Sequence, residues 1–151
     1  KETTATLAKF GIKCEARVIS AHRTPDEAAK YAKTAVKRGL KIIIAAAGGA
    51  AHLGGVLAGH TTLPVIGIPM PGGAANGLDS LLATLQMPAG IPVATVTLGS
   101  AGPVNAAILA VQILAISNAA LAKKLAGHKE TLKKKVEDGD ARVQADLAGR
   151  R

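Results

Sequence analysis

Residues 24–46 read TPDEAAKYAKTAVKRGLKIIIAA, which combines a complete helix signal with a strand signal. Thr24 is a typical capping residue, Pro25 stands at the first helical position, and a glutamate follows three residues after the cap. Gly39 stands where a left-handed residue is expected to end the helix. The run Lys41–Ala46 is short, apolar and typical of a buried strand. We therefore predict a helix that begins near Thr24 and leads directly into a strand.

The same alternation continues along the chain. Short β-rich runs are each followed by glycine, proline or a helix-start signal, which is the pattern of a parallel sheet covered by helices on both faces. The predicted fold class is therefore α/β. The strand candidates are Ala16–Ser20, Lys41–Ala46, Pro64–Ile68 and Val93–Leu98.

The two ends of the chain carry helix patterns. Residues Glu2–Phe10 read as a helix, whereas a sheet of this type normally opens with a strand, so we expect an opening strand and its loop to be missing from this chain. Asn118 is a good cap for a charged helix that runs to about Glu137. We expect residues 138–151 to form a frayed tail, because Asp138-Gly139-Asp140 interrupts the helical pattern.

The segment Val104–Ile116 is almost wholly apolar. Such a helix is expected to be covered on more than one side. A chain of 151 residues has room for one core and is predicted to form a single domain over 1–151. Neighbouring subunits are therefore one source of the missing cover.

The composition limits the classes of function. The net charge of +9 is compatible with nucleic acid, but Phe10 and Tyr31 are the only large aromatic residues, too few for base-stacking platforms. Much of the charge lies in a C-terminal segment that reads as a solvated helix face, and the charge fits small anionic substrates equally well. Cys14 is the only cysteine, which excludes an internal disulfide and favours a reducing cytoplasm. No apolar run is long enough to span a membrane.

Two segments stand at the carboxyl ends of predicted strands, where open parallel sheets bind their ligands. The first, Ser20-Ala21-His22-Arg23-Thr24-Pro25, places a hydroxyl, an imidazole and a guanidinium at the start of a capped helix. The helix dipole and the arginine charge together favour an anion there. A histidine near a strand end is often only structural, and the residues alone leave both interpretations of His22 open.

The second segment, Ala45–Leu53, has seven consecutive small residues before His52. Small residues let a ligand approach the backbone closely. The segment matches neither the dinucleotide-binding fingerprint nor the phosphate-binding loop of nucleotide hydrolases. Taken alone, the pattern favours a structural His52.

Together, these segments resemble a known family. SAHRTP at 20–25, IAAAGGAAHL at 44–53, GLDSLLATLQMPAGIPV at 77–93 and NAAILAVQIL at 105–114 are similar, in order and spacing, to the signatures of the N5-carboxyaminoimidazole ribonucleotide mutase family. That family is also called the catalytic subunit of phosphoribosylaminoimidazole carboxylase. The resemblance runs from about Lys1 to Leu125.

The resemblance implies a flavodoxin-like three-layer sandwich, a homo-octamer with active sites near subunit contacts, and a step of purine biosynthesis. It implies a reaction that uses no metal or organic cofactor and that passes through carbon dioxide held in the pocket. His22 matches the catalytic proton carrier. The residues that match the substrate site are Ser20, Ala21, Arg23, Ala47, Gly48, Ala50, His52 and Leu53.

Two other functions remain as alternatives. The related carboxylase, a lyase, makes the same product from free carbon dioxide, but that branch is expected to lack the GGAAH turn, so the intact Gly48–His52 segment favours the mutase. A non-catalytic nucleotide-binding scaffold is the other alternative, and the missing opening loop is its only support.

Overall fold

The computed structural model describes residues 1–149, which contain six helices and three strands. The elements, in chain order, are α1 (Glu2–Lys9), α2 (Pro25–Ala35), β1 (Ile43–Ala47), α3 (Leu53–Ala58), β2 (Val65–Pro69), α4 (Leu78–Leu85), β3 (Ala94–Thr95), α5 (Gly102–Ala115) and α6 (Ala119–Ala148). The chain divides into two compact units, one from Lys1 to Ala110 and one from Val111 onward.

The three strands form a parallel sheet in the order β1-β2-β3. Ile43 is paired with Val65, and Gly67 is paired with Thr95. All five residues of the central strand β2 are buried, as expected for a parallel strand covered on both faces. The α/β class and the parallel sheet are therefore confirmed. Strands β1, β2 and β3 match three of the four predicted runs, although β3 is shorter than predicted.

Helices pack on both faces of this sheet. Successive side chains of a strand point to opposite faces. The Cβ position of Gly67 and the side chain of Ile68 in β2 therefore face different layers. A Cβ added to Gly67 would lie 2.4 Å from Cγ2 of Thr84 in α4. On the other face, Cγ2 of Ile68 lies 3.2 Å from where a Cβ of Gly102, the first residue of α5, would be. The sheet is thus the middle of three layers.

Alanines form the buried face of α2. The helix begins at Pro25 with Thr24 as its N-cap, and Gly39 adopts φ +83 beyond its last turn, as predicted. Because alanine side chains are short, the backbone of α2 can approach α3 closely. The buried cluster on this side consists of Ala28, Ala32, Ala35, Ile43, Ala45, Leu57, Val65 and Val93.

The predicted strand Ala16–Ser20 is wrong. The segment is not a strand, and Val18 within it is fully exposed. A strand needs a neighbour for its backbone hydrogen bonds, and β1 pairs only with β2 within residues 1–149. The segment pairs with neither the open edge of β1 nor any other strand of residues 1–149, so its β-forming composition is not enough to make it a strand.

The predicted end of the C-terminal helix is also wrong. Asn118 caps α6 as expected, with its side-chain oxygen accepting a hydrogen bond from the N–H of Leu121 at 3.1 Å. However, α6 passes through the Asp138-Gly139-Asp140 segment and ends at Ala148, so there is no frayed tail over 138–148. A single glycine inside a helix costs only about 1 kcal/mol relative to alanine, which is too little to end a helix of 30 residues. Residues 150 and 151 lie outside the described part of the chain.

Helix α5 is covered less completely than its sequence predicts. Ala106, Ala107 and Ala110 are buried, whereas Ile108 and Leu109 are only half-buried and Val104 is 37% exposed. The described residues of one chain thus do not supply the expected cover on several sides. As for the membrane, no helix within residues 1–149 combines the length and apolar character that a crossing requires.

We predict that Gly67→Ala destabilises the sheet layer, because the new methyl would meet Thr84 at 2.4 Å and Val93 at 2.9 Å. Overpacking of this kind lowers the free energy of unfolding by about 1–3 kcal/mol. Gly139→Ala is the matched control, since nothing lies within 4 Å of its added methyl. Urea unfolding followed by circular dichroism measures both variants. An unfolding free energy for Gly67→Ala that equals that of the parent would contradict the close packing of β2 against α4.

Candidate active site

A hydrogen-bonded turn leads from Ser20 into α2. The carbonyl of Ser20 accepts hydrogen bonds from both the N–H and the hydroxyl of Thr24, each at 3.0 Å. The N–H of Ser20 donates to the hydroxyl oxygen of Thr24, also at 3.0 Å. The hydroxyl oxygen of Ser20 accepts from the N–H of Arg23 at 3.1 Å. The side chain of Thr24 therefore stabilises this turn and does not cap the helix as expected. The hydrogen-bonded turn fixes the backbone of His22 and Arg23.

The second turn follows the end of β1 and leads into α3. The N–H of Ala51 donates to the carbonyl of Gly48 at 3.1 Å. Gly49 and Ala51 both have positive φ values, +61 and +48. The left-handed conformation costs a non-glycine residue about 1 kcal/mol or more, and such residues are concentrated at functional sites. Here the conformation directs His52 to the first turn of α3, where its carbonyl accepts from the N–H of Val56 at 2.9 Å.

The two turns meet through their histidines. Nε2 of His22 lies 2.8 Å from Nδ1 of His52, although the residues are thirty positions apart. The rings are arranged edge to face, with an interplanar angle of 85° and centroids 4.8 Å apart. At this distance one ring nitrogen must donate and the other must accept. The contact therefore joins the two turns directly through their side chains.

A cavity of about 260 Å³ lies between the two turns. It is lined by Ile19, Ser20, Ala21, His22, Arg23, Ala46, Ala47, Gly48, Ala51, His52 and Leu53. The structure thus gathers eight of the nine residues predicted for the site around one cavity. Ala50 is the exception, and its predicted place in the substrate site finds no support in this geometry. Ile19, Ala46 and Ala51 were not predicted, although each is adjacent to a predicted residue in the sequence.

The charge of the cavity favours an anionic ligand. Arg23 is exposed and has no acidic partner within residues 1–149, and no carboxylate is among the lining residues. The free N–H groups at the start of α2 add to the positive potential beside Arg23. No group of three metal-binding side chains occurs within the described residues. The chemistry available here is thus anion binding beside a pair of imidazoles, which can accept and donate protons near neutral pH.

A polar cluster anchors the segment that precedes this site. The guanidinium of Arg38 donates to the carboxylate of Glu15 at 2.6 Å and to the backbone carbonyl of Tyr31 at 2.9 Å. The same group lies 4.5 Å from the centre of the Tyr31 ring. Burial, followed by the hydrogen bond and the negative charge of Glu15, raises the pKa of the Tyr31 hydroxyl, while Arg38 acts in the opposite direction. Glu15 is thereby tied to α2 five residues before the site begins at Ser20. Sequence reasoning missed this cluster, because none of its members belongs to a recognised motif.

Comparison with known proteins is consistent with this geometry. The family model described as AIR carboxylase matches residues 1–135. The N5-carboxyaminoimidazole ribonucleotide mutase of Mycobacterium tuberculosis (strain ATCC 25618 / H37Rv) is 51% identical over 149 residues, which cover 99% of this chain and 84% of that protein. The mutase of Bacillus subtilis (strain 168) is 54% identical over 130 residues, which cover 86% of this chain and 80% of that protein.

The fold is also similar to a solved structure. The crystal structure of Treponema denticola PurE superposes with a TM-score of 0.82 at 28% sequence identity, over 93% of this chain and 87% of that one. Sequence, fold and the arrangement of the two turns lead to the same assignment: this chain belongs to the AIR carboxylase family.

Proposed function

We propose that this chain is an N5-carboxyaminoimidazole ribonucleotide mutase, which converts that nucleotide into 4-carboxy-5-aminoimidazole ribonucleotide in purine biosynthesis. The observation that carries the proposal is the meeting of His22 and the GGAAH turn at one cavity. Relatives that bear the mutase name and share half of the sequence over most of both chains support it. The proposed mutase domain spans residues 1–151.

His22 is the proton carrier in the proposed mechanism. It first gives a proton to the substrate's exocyclic nitrogen as the nitrogen–carboxylate bond breaks, so the bonding electrons stay on nitrogen and carbon dioxide is released. The C4 carbon of the ring then attacks the carbon dioxide and forms a new carbon–carbon bond. His22 finally removes the C4 proton, and that electron pair returns to the ring. The histidine loses one proton and regains one, which an imidazole can do near neutral pH.

The small residues of the second turn have a role in holding carbon dioxide and the base. Ala47 and Gly48 line the cavity without bulky side chains, and a Cβ added to Gly48 would lie 3.5 Å from Cβ of Met70. These small residues leave room for carbon dioxide beside C4, and a position close to C4 favours recapture over escape. Arg23 and the hydroxyl of Ser20 hold anionic and polar groups of the nucleotide. The reaction requires neither a metal nor an organic cofactor.

The carboxylase that fixes free carbon dioxide is the alternative within the same family. It differs from the mutase in its substrate, which is the uncarboxylated nucleotide, and not in its product. The GGAAH turn, Gly48–His52, is intact in this chain and brings His52 against His22. Its presence favours the mutase. A non-catalytic scaffold is the other alternative, and measurable turnover would exclude it.

We further propose that the active assembly is a homo-octamer in the cytoplasm. Besides α5, helix α4 exposes Leu78, Leu82 and Leu85, each between 46% and 57% exposed. Helix α6 exposes four more large apolar residues: Leu132, Val136, Val143 and Leu147. Closed symmetric assembly is the usual way to cover such surfaces. The single cysteine suits a reducing compartment.

The first functional prediction concerns His22. We expect His22→Asn to reduce kcat by about a hundredfold or more, because a positioned acid–base group usually supplies at least that factor. Turnover is measured with N5-carboxyaminoimidazole ribonucleotide, and circular dichroism and light scattering check that fold and assembly are unchanged. Retention of more than about a tenth of the parent rate would assign His22 a structural role.

The second prediction concerns Arg23. We expect Arg23→Ala to weaken nucleotide binding by about tenfold or more, because a charge-assisted contact to an anionic group is lost. Arg17→Ala is the matched control, since Arg17 carries the same charge, is exposed and does not line the cavity. Calorimetric titration with aminoimidazole ribonucleotide measures both. Equal affinities for the two variants would exclude Arg23 from the site.

The third prediction concerns assembly. Light scattering at micromolar concentration should give a mass close to eight chains, because α4, α5 and α6 leave large apolar side chains exposed. Ile108→Asp should break the octamer or prevent folding, since a charge would be buried at the interface without a partner. A monodisperse monomer of the parent chain would contradict the proposed assembly.

A further inference from the structure

The contact between His22 and His52 determines which nitrogen of His22 is left for proton exchange with the substrate. Nε2 of His22 is occupied by the contact with Nδ1 of His52, so Nδ1 is the nitrogen of His22 that remains to exchange a proton with substrate. We propose that His52 is a positioning residue: it accepts a hydrogen bond from Nε2–H of His22 and thereby keeps Nδ1 of His22 as the reacting atom. This inference rests on the proposed function, in which His22 carries the proton.

The count of protons is consistent with both halves of the reaction. The pair binds substrate in its protonated form, in which His22 holds protons on both Nδ1 and Nε2 and His52 holds one on Nε2. When Nδ1 gives its proton to the exocyclic nitrogen, the pair becomes neutral and Nδ1 of His22 is left as a base. When Nδ1 then takes the C4 proton, the pair regains its positive charge, and the hydrogen bond to His52 stabilises the imidazolium. The hydrogen between the rings stays in place throughout.

Within residues 1–149, His52 is the only side chain with a hydrogen bond to the ring of His22. Arg23 is the one other titratable residue among those lining the cavity, and it has no proton acceptor to offer. The hydroxyl oxygen of Ser20 already accepts from the N–H of Arg23. His52 is itself held by its backbone, because Ala51 fixes the turn before it and Val56 binds its carbonyl. A rigid acceptor of this kind sets the orientation and the tautomer of the ring it contacts.

Two variants of His52 separate this role from others. His52→Asn places an oxygen or nitrogen at the position of Nδ1, since both side chains branch at Cγ, and so retains a hydrogen-bonding partner for His22. His52→Phe retains the ring shape and removes the acceptor. We expect His52→Phe to lower kcat by about tenfold or more with a smaller effect on KM, and His52→Asn to restore most of the lost kcat.

Nitrogen NMR tests the contact directly in substrate-free protein. The expected result is a ¹⁵N–¹⁵N coupling across the hydrogen bond from Nε2 of His22 to Nδ1 of His52, with the proton assigned to His22. The absence of this coupling, or a proton on Nδ1 of His52, would overturn the inference. So would a His52→Asn enzyme that is as slow as His52→Phe with a raised KM, which would make His52 a substrate contact.

The NMR measurement and the activity of His22→Asn test different claims, so a negative result in one can be told apart from a negative result in the other. The NMR measurement uses no substrate, so its failure counts against the positioning role of His52 alone. Full activity in His22→Asn counts against His22 as the proton carrier, whatever the coupling between the rings.

Discussion

The 2.8 Å contact between Nε2 of His22 and Nδ1 of His52 is the interaction on which the site depends. Each histidine comes from a different turn, and each turn is fixed by its own backbone hydrogen bonds. The turns can meet only because β1 ends beside the start of α2, as the parallel arrangement of strands and helices requires. The sheet thus acts as a frame that brings two short polar segments to one edge, where the cavity forms between them.

Small side chains make this frame possible. The buried cluster that joins α2, α3 and the sheet contains four alanines and no aromatic residue, so short side chains fill the space between these elements. On β2, Gly67 leaves no space for even one methyl group beside Thr84. In closely packed layers, the ends of neighbouring elements lie within reach of each other's side chains. His22 and His52 can therefore form a hydrogen bond. The cost is a small internal core, and the apolar residues exposed on α4, α5 and α6 indicate where further burial is available.

Short-range sequence signals predicted most helix starts and caps, whereas the pairing of segments that are distant in the sequence could not be predicted. The start of α2 at Pro25, the left-handed Gly39 and the Asn118 cap all follow from short-range rules, and the structure confirms them. The strand at Ala16–Ser20 failed because its composition says nothing about whether a neighbouring strand is present to receive its hydrogen bonds. Helix α6 passed its predicted end because a lone glycine is a weak breaker. The motifs placed both histidines in the site, but their hydrogen bond depends on the distance between two turns thirty residues apart, and no sequence pattern reports that distance.

The claim that the site moves a carboxylate within one nucleotide has a direct test. The chain is supplied with N5-carboxyaminoimidazole ribonucleotide that carries ¹³C in its carboxylate, in the presence of unlabelled bicarbonate, and the product is analysed by carbon NMR. We expect most of the product to carry the label at the carboxylate on C4, because the cavity holds the released carbon dioxide until C4 recaptures it. Unlabelled product, formed equally fast from aminoimidazole ribonucleotide and bicarbonate, would contradict it and identify a carboxylase that draws carbon dioxide from solution.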